Sequence, residues 1–168
     1  MPQRKFRVAV LGGTFDRIHL GHERLLAAAF ASANEVGVGL TTDRFLAAHP
    51  KRYPDRVRRY SARRRSLRRY LLRAYGPRRF WIAPLEDSFG RSVEPGIDLL
   101  VVSKETLPGA HAVNAERRRR GLPPLRVLAI PVVLAADGRP LHAERIRAGE
   151  VDREGRPHRS VRHRRKLS

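Results

Sequence analysis

Residues 6–22 read Phe6-Arg7-Val8-Ala9-Val10-Leu11-Gly12-Gly13-Thr14-Phe15-Asp16-Arg17-Ile18-His19-Leu20-Gly21-His22, and this stretch decides the fold. Phe6 to Leu11, with its alternating Val8 and Val10, has the pattern of a buried strand, and the alanine- and leucine-rich segment from Glu23 to Ala33 follows as a helix. The glycine pair therefore stands at a strand-to-helix crossover. Glycine there lets the backbone approach a ligand closely, and the N–H groups and positive dipole end of the next helix attract an anion. His19 and His22 are three residues apart, so within a helix they share a face directed at that anion.

Competing readings of the same residues are a plain glycine turn, a zinc site, a P-loop and a dinucleotide fingerprint. The chain has no cysteine, and no third His, Asp or Glu stands at a recognisable ligand spacing nearby, which argues against zinc. The Gly-Lys-Ser/Thr ending of a P-loop is missing, and the glycine spacing is not Gly-x-Gly-x-x-Gly. What remains is a phosphate loop in which histidines, rather than a lysine, meet the phosphate.

Further along, Glu35 to Thr41 alternates as a second strand, followed by a short helix at Asp43 to Ala48 and a loop from His49 to Asp55 containing Pro50 and Pro54. Ser61 to Tyr75 places Leu67, Leu71 and Leu72 at helical spacing among arginines. Arg78 to Leu85 and Ile97 to Val102 read as strands three and four, and Ala112 to Arg120 as a helix closed by Gly121. Leu125 to Ala135 reads as a fifth strand in which Pro131 suggests a bend or an edge. Strands alternating with helices imply an α/β fold with a five-stranded parallel sheet. The expected order is 3-2-1-4-5, with ligands at the carboxyl ends of the strands.

At 168 residues and 41% apolar, the chain suits one compact domain, expected over residues 1–152. The basic stretch from Arg153 to Ser168 lacks apolar periodicity and is expected to be a disordered tail. No run approaches a membrane span, and no apolar signal-peptide core opens the chain, so a cytoplasmic location is expected. No feature specifies an oligomeric state. The net charge of +20 comes from arginine, since lysine stands only at positions 5, 51, 104 and 166 among 36 basic residues. Such a field suits phosphate ligands or non-specific nucleic-acid binding, and equally a solvated arginine-rich surface.

Gly13-Thr14-Phe15-Asp16 followed by His19-x-Gly21-His22 resembles the signature of the nucleotidyltransferase superfamily with a Rossmann-like three-layer fold. Glu86 to Gly90, Val101 to Thr106, Asn114-x-x-Arg117 and Gly121 to Leu125 are similar to the archaeal and eukaryotic phosphopantetheine adenylyltransferases within it. The resemblance implies transfer of AMP from ATP to 4'-phosphopantetheine, giving dephospho-coenzyme A and pyrophosphate, with Mg2+ carried by ATP rather than held by side chains. It implies catalytic roles for His19 and His22, which would stabilise the transferred phosphate, and for Thr14, which would position the acceptor. ATP would meet Gly12, Gly13, Gly21, Ser103, Glu105, His142, Arg145 and Arg147, and phosphopantetheine would meet Thr14, Thr42, Lys51 and Arg63. For Thr42 a helix cap explains the residue almost as well. For Arg63, within the pattern Tyr60-x-x-Arg63-x-x-x-Leu67, a solvated helix face is an equal alternative.

One segment departs from the family. Where members carry Ile-Ser-Ser-Thr-x-x-Arg, this chain has Leu141-His142-Ala143-Glu144-Arg145-Ile146-Arg147, losing three hydroxyls and placing a carboxylate where a triphosphate is expected. Either Glu144 turns into a salt bridge with a neighbouring arginine or helps to hold magnesium, or nucleotide affinity is weakened or altered. Alternatives in function are adenylylation of flavin mononucleotide, cytidylylation of an alcohol phosphate, and nucleic-acid binding on a retired enzyme fold.

Overall fold

The computed structural model describes residues 4–158. The chain runs β1 (Phe6–Gly13), α1 (Leu20–Ser32), β2 (Ala33–Thr41), α2 (Asp43–Ala48), α3 (Tyr60–Tyr75), β3 (Arg79–Leu85), β4 (Leu99–Ser103), α4 (Leu107–Arg119), β5 (Arg126–Ile130) and α5 (Ala143–Arg147). All five strands are parallel and lie in the order β3-β2-β1-β4-β5, as the sequence predicts. A parallel sheet is covered on both faces, and β1 shows how. Ala9 and Leu11 pack with Leu26 and Phe30 of α1 and with Leu67 and Leu71 of α3, whereas Val10 between them packs with Ala110 and Val113 of α4. Leu67 and Leu71 are one helical turn apart and fully buried, and truncating either to alanine should cost about 2–5 kcal/mol.

The fifth strand is shorter than its apolar run suggests. It ends at Ile130 because Pro131 has no N–H to continue the ladder, and the remaining residues turn away. Val133 then packs with Ala135, Leu141, Ile146, Val151 and Leu20 of α1 in a small separate cluster. That cluster seats the C-terminal segment over the start of α1. Arg153 also differs from the expected tail, because its carbonyl accepts the N–H of Leu20 at 3.0 Å, and Pro157 bridges back to Val151. Ordered chain thus continues to His158, and the remainder of the expected tail lies outside the described residues.

Candidate nucleotidyl-transfer site

The end of β1 and the start of α1 are built around two histidines. His19 is the N-cap of α1: its Nδ1 accepts the N–H of Gly21 at 3.0 Å, while Nδ1 of His22 accepts the N–H of His19 at 3.3 Å. This is a capping box made of imidazoles. A ring nitrogen that accepts a backbone N–H carries no proton, so each neutral ring keeps its proton on Nε2. The rings stack with centroids 3.9 Å apart, and Phe15 packs against His22 at 4.8 Å. Phe15 is buried and held at φ 45°, a left-handed conformation that a bulky residue adopts only when its surroundings demand it. Gly21 is required by the same packing, since a Cβ there would lie 2.8 Å from Cε1 of His19.

Burial keeps both rings neutral. It lowers His19 to about 3, helped by His22 and His142, and lowers His22 to about 4 against the raising influence of the Arg17 backbone and the Asp16 carboxylate. At neutral pH the pair is therefore a set of uncharged N–H donors.

Two cavities converge on this pair. The first, about 520 Å³, contains His19, Gly21, Glu105, His142, Glu144 and Arg147 in its wall. The second, about 350 Å³, lies over the carboxyl ends of the central strands and is lined by Gly12, Gly13, Trp81, Leu85, Phe89 and Arg91 among others. Thr14, His22, Leu25, Lys51, Ser103 and Thr106 belong to both walls, so these residues surround the passage between the two spaces. Trp81 reaches the second cavity because β2 has Gly37 opposite it, where a Cβ would stand 2.1 Å from the indole. Arg91 covers the ring at 4.4 Å.

Of the residues expected to bind ligand, Thr14, His19, Gly21, His22, Lys51, Ser103, Glu105, His142 and Arg147 are brought together in or beside the first cavity. Gly12 and Gly13 instead line the second, more apolar space. Three residues stand elsewhere. Thr42 caps α2, its Oγ1 accepting the N–H of Phe45 at 3.1 Å. Arg63 is fully buried beneath the loop: its Nη1 donates to the carbonyl of Thr14 at 2.9 Å, its Nε to that of Arg58 at 2.8 Å, and its Nη2 pairs with Asp43 at 3.1 Å. It braces Thr14, whose Oγ1 in turn accepts from Thr41, and it is no solvated arginine. Arg145 turns away from the cleft because Asp137 and Glu150 bind its guanidinium.

Of the alternatives open for Glu144, the salt bridge with a neighbouring arginine does not form among the described residues. Glu144 lines the first cavity and has no ion pair among the described residues, while Nε2 of His142 spans to the carboxylate of Glu105 at 2.8 Å. Arg147 completes the floor, 3.6 Å from the buried carboxylate of Asp16 and bonded to the carbonyl of Arg52 at 3.1 Å. Asn114 and Arg117 are structural. Asn114 pairs with both backbone groups of Leu125, and buried Arg117 donates to the carbonyls of Ser92, Glu94 and Pro123 at 2.7–2.8 Å, holding the turn behind Phe89.

Two lining residues add to those expected to bind ligand. Thr106 lies three residues past Ser103, within 3.2 Å of its hydroxyl, a spacing that was available as a signal. Trp81 was signalled only by Gly37 and Gly39 in the neighbouring strand.

Sheet order, crossover loop and paired imidazoles at the carboxyl edge define a nucleotidyltransferase-type site. Residues 10–148 match the cytidylyltransferase-like family. The chain is 44% identical over 152 residues to the phosphopantetheine adenylyltransferase of Methanopyrus kandleri, covering 90% of this chain and 94% of that one. It is 38% identical to the enzyme of the same name from Methanothermobacter thermautotrophicus, covering 91% and 90%. Among solved structures, a protein of unknown function from Archaeoglobus fulgidus superposes with a TM-score of 0.64 at 30% identity, covering 74% of this chain and 88% of that one. The chain belongs to the cytidylyltransferase-like family and, within it, to the group of phosphopantetheine adenylyltransferases.

Proposed function

We propose that the protein joins AMP from ATP to 4'-phosphopantetheine, giving dephospho-coenzyme A and pyrophosphate. The observation that carries this reading is the meeting, at Thr14 and His22, of one cavity walled by His19, Glu105, His142, Glu144 and Arg147 with another walled by Trp81, Leu85 and Phe89. The nucleotide takes the first, beneath Ser103 and Glu105, and the pantetheine arm takes the second, against Trp81 and Phe89. Their phosphates then face each other at the passage. The relatives' names favour this acceptor over flavin mononucleotide or an alcohol phosphate.

Little covalent help is needed. A phosphate monoester has a second pKa of about 6 and is already the nucleophile at neutral pH, so no general base is required. The rate then depends on positioning the acceptor and on stabilising charge at the α-phosphate. Neutral His19 and His22 serve as fixed Nε2–H donors that cost no reorganisation, Lys51 supplies charge at the passage, and Thr14 orients the acceptor. Mg2+ would be carried by the nucleotide's own phosphates, as the likeness to adenylyltransferases implies. When bound it neutralises their charge. Among the described residues no helix is long and apolar enough to cross a membrane, and we place the reaction in the cytoplasm.

A pyrophosphate-release assay pairing ATP or CTP with phosphopantetheine or flavin mononucleotide tests this. Release only with ATP and phosphopantetheine is expected; preference for CTP or for the flavin overturns the assignment.

A further inference from the structure

The sequence offers six arginines and no acidic residue in α3, and the structure uses only Arg63 of them internally. Arg64, Arg65, Arg68 and Arg69 are exposed and surround a shallow surface hollow of about 500 Å³, closed at its ends by Tyr60 and Leu72. No carboxylate lines it. None of these four arginines forms an ion pair or a side-chain hydrogen bond among the described residues.

Several arginines elsewhere are occupied. Arg117, Arg145 and Arg147 are buried and bonded, and Arg91, Arg119, Arg120 and Arg139 are paired with carboxylates. The concentration on α3 is also costly to the helix, because Arg64 with Arg68 and Arg65 with Arg69 are like charges one turn apart.

We propose that this face of α3 is a docking surface for a single nucleic-acid strand. Two parallel ridges of guanidinium groups repeat every four residues, about 6 Å along the helix axis, and planar guanidinium groups bind phosphate bidentately. A basic groove flanked by an aromatic ring is the usual form of a single-strand site, and the half-buried Tyr60, packed in part against the core, stands at its end. An acidic membrane surface fits less well. A membrane-bound helix inserts an apolar face, whereas the apolar residues Leu67 and Leu71 of α3 are committed to the core and only Leu72 remains outside. The surface is separate from the two cavities, sharing no lining residue with either.

The test is fluorescence anisotropy of a labelled oligouridylate of about 12 nucleotides between about 50 and 200 mM salt. Four contacts predict a slope of log K against log salt of about −3 from this face. The full-length variant R64Q/R65Q/R68Q/R69Q should lose that slope and weaken binding at least tenfold while keeping its enzymatic rate. The lysine set at the same four positions should retain most of the binding, which separates charge from folding. A control removing equal charge from four exposed arginines elsewhere, R24Q/R118Q/R126Q/R153Q, should change affinity by about twofold at most. Equal losses in both glutamine sets would show diffuse attraction by net charge and overturn the proposal. So would absence of binding by the wild type, or tighter binding of phosphatidylserine vesicles or of a duplex of the same length.

Discussion

The carboxylate of Asp16 lies 3.6 Å from the guanidinium of Arg147, and both side chains are buried. This pair ties the phosphate loop to the C-terminal segment that closes the first cavity. Arg58 approaches the same carboxylate through its backbone N–H at 2.9 Å. Asp16→Asn leaves buried arginine charge without its counterpart, which typically costs about 3–5 kcal/mol. Urea denaturation should show that loss, and KM for ATP should rise more than kcat falls, since Arg147 is displaced rather than the histidines.

His22→Ala should lower kcat about a hundredfold to a thousandfold, the usual effect of removing one donor to a developing charge. His19→Ala should show a similar loss plus about 1 kcal/mol of stability, because His19 is also the cap of α1. Steady-state kinetics with circular dichroism separates these effects. A His22→Ala variant with near-normal turnover would remove the histidine from the mechanism.

The depressed histidines give two separate pH behaviours. As pH falls from 6.5 toward about 4 for His22 and about 3 for His19, the unfolded chain binds protons on these rings that the folded chain does not, so their contribution to stability is lost through those windows. The slope is up to about 1.4 kcal/mol per pH unit for each ring. Urea midpoints measured at pH 7.5, 6 and 5 should fall, and should fall less in His22→Gln. Activity at saturating ATP should instead follow the acceptor phosphate, with a mid-point near its second pKa of about 6.

Glu144 places a carboxylate with no ion pair among the described residues in the cavity assigned to the nucleotide. Glu144→Gln should therefore lower KM for ATP several-fold with little change in kcat, by removing repulsion at a site partly screened by solvent. A rise in KM would mean that the carboxylate serves the bound nucleotide, through its metal ion or otherwise.

The legible and illegible parts of the chain differ physically. Strand order and layering followed from periodicity, because Ala9, Val10 and Leu11 alternate between two apolar faces and the helices between strands are amphipathic or alanine-rich. His19 and His22 were legible because their spacing around Gly21 is itself the local structure. Arg145 and Arg63 were misplaced because an arginine's direction is set by tertiary partners: Asp137 and Glu150 for one, the Thr14 carbonyl and Asp43 for the other. The stretch from Arg153 reads as tail because its attachment to Leu20 runs through backbone groups, which leave no trace in residue type.

We assign the two cavities to ATP and 4'-phosphopantetheine, with their phosphates meeting at His22 and Thr14. Mass spectrometry of the products after incubating the purified protein with both substrates and Mg2+ tests it most directly. Dephospho-coenzyme A and pyrophosphate in equal amounts are predicted, with the yield collapsing in His22→Ala. Unchanged phosphopantetheine beside intact ATP, from protein shown to be folded, would contradict it.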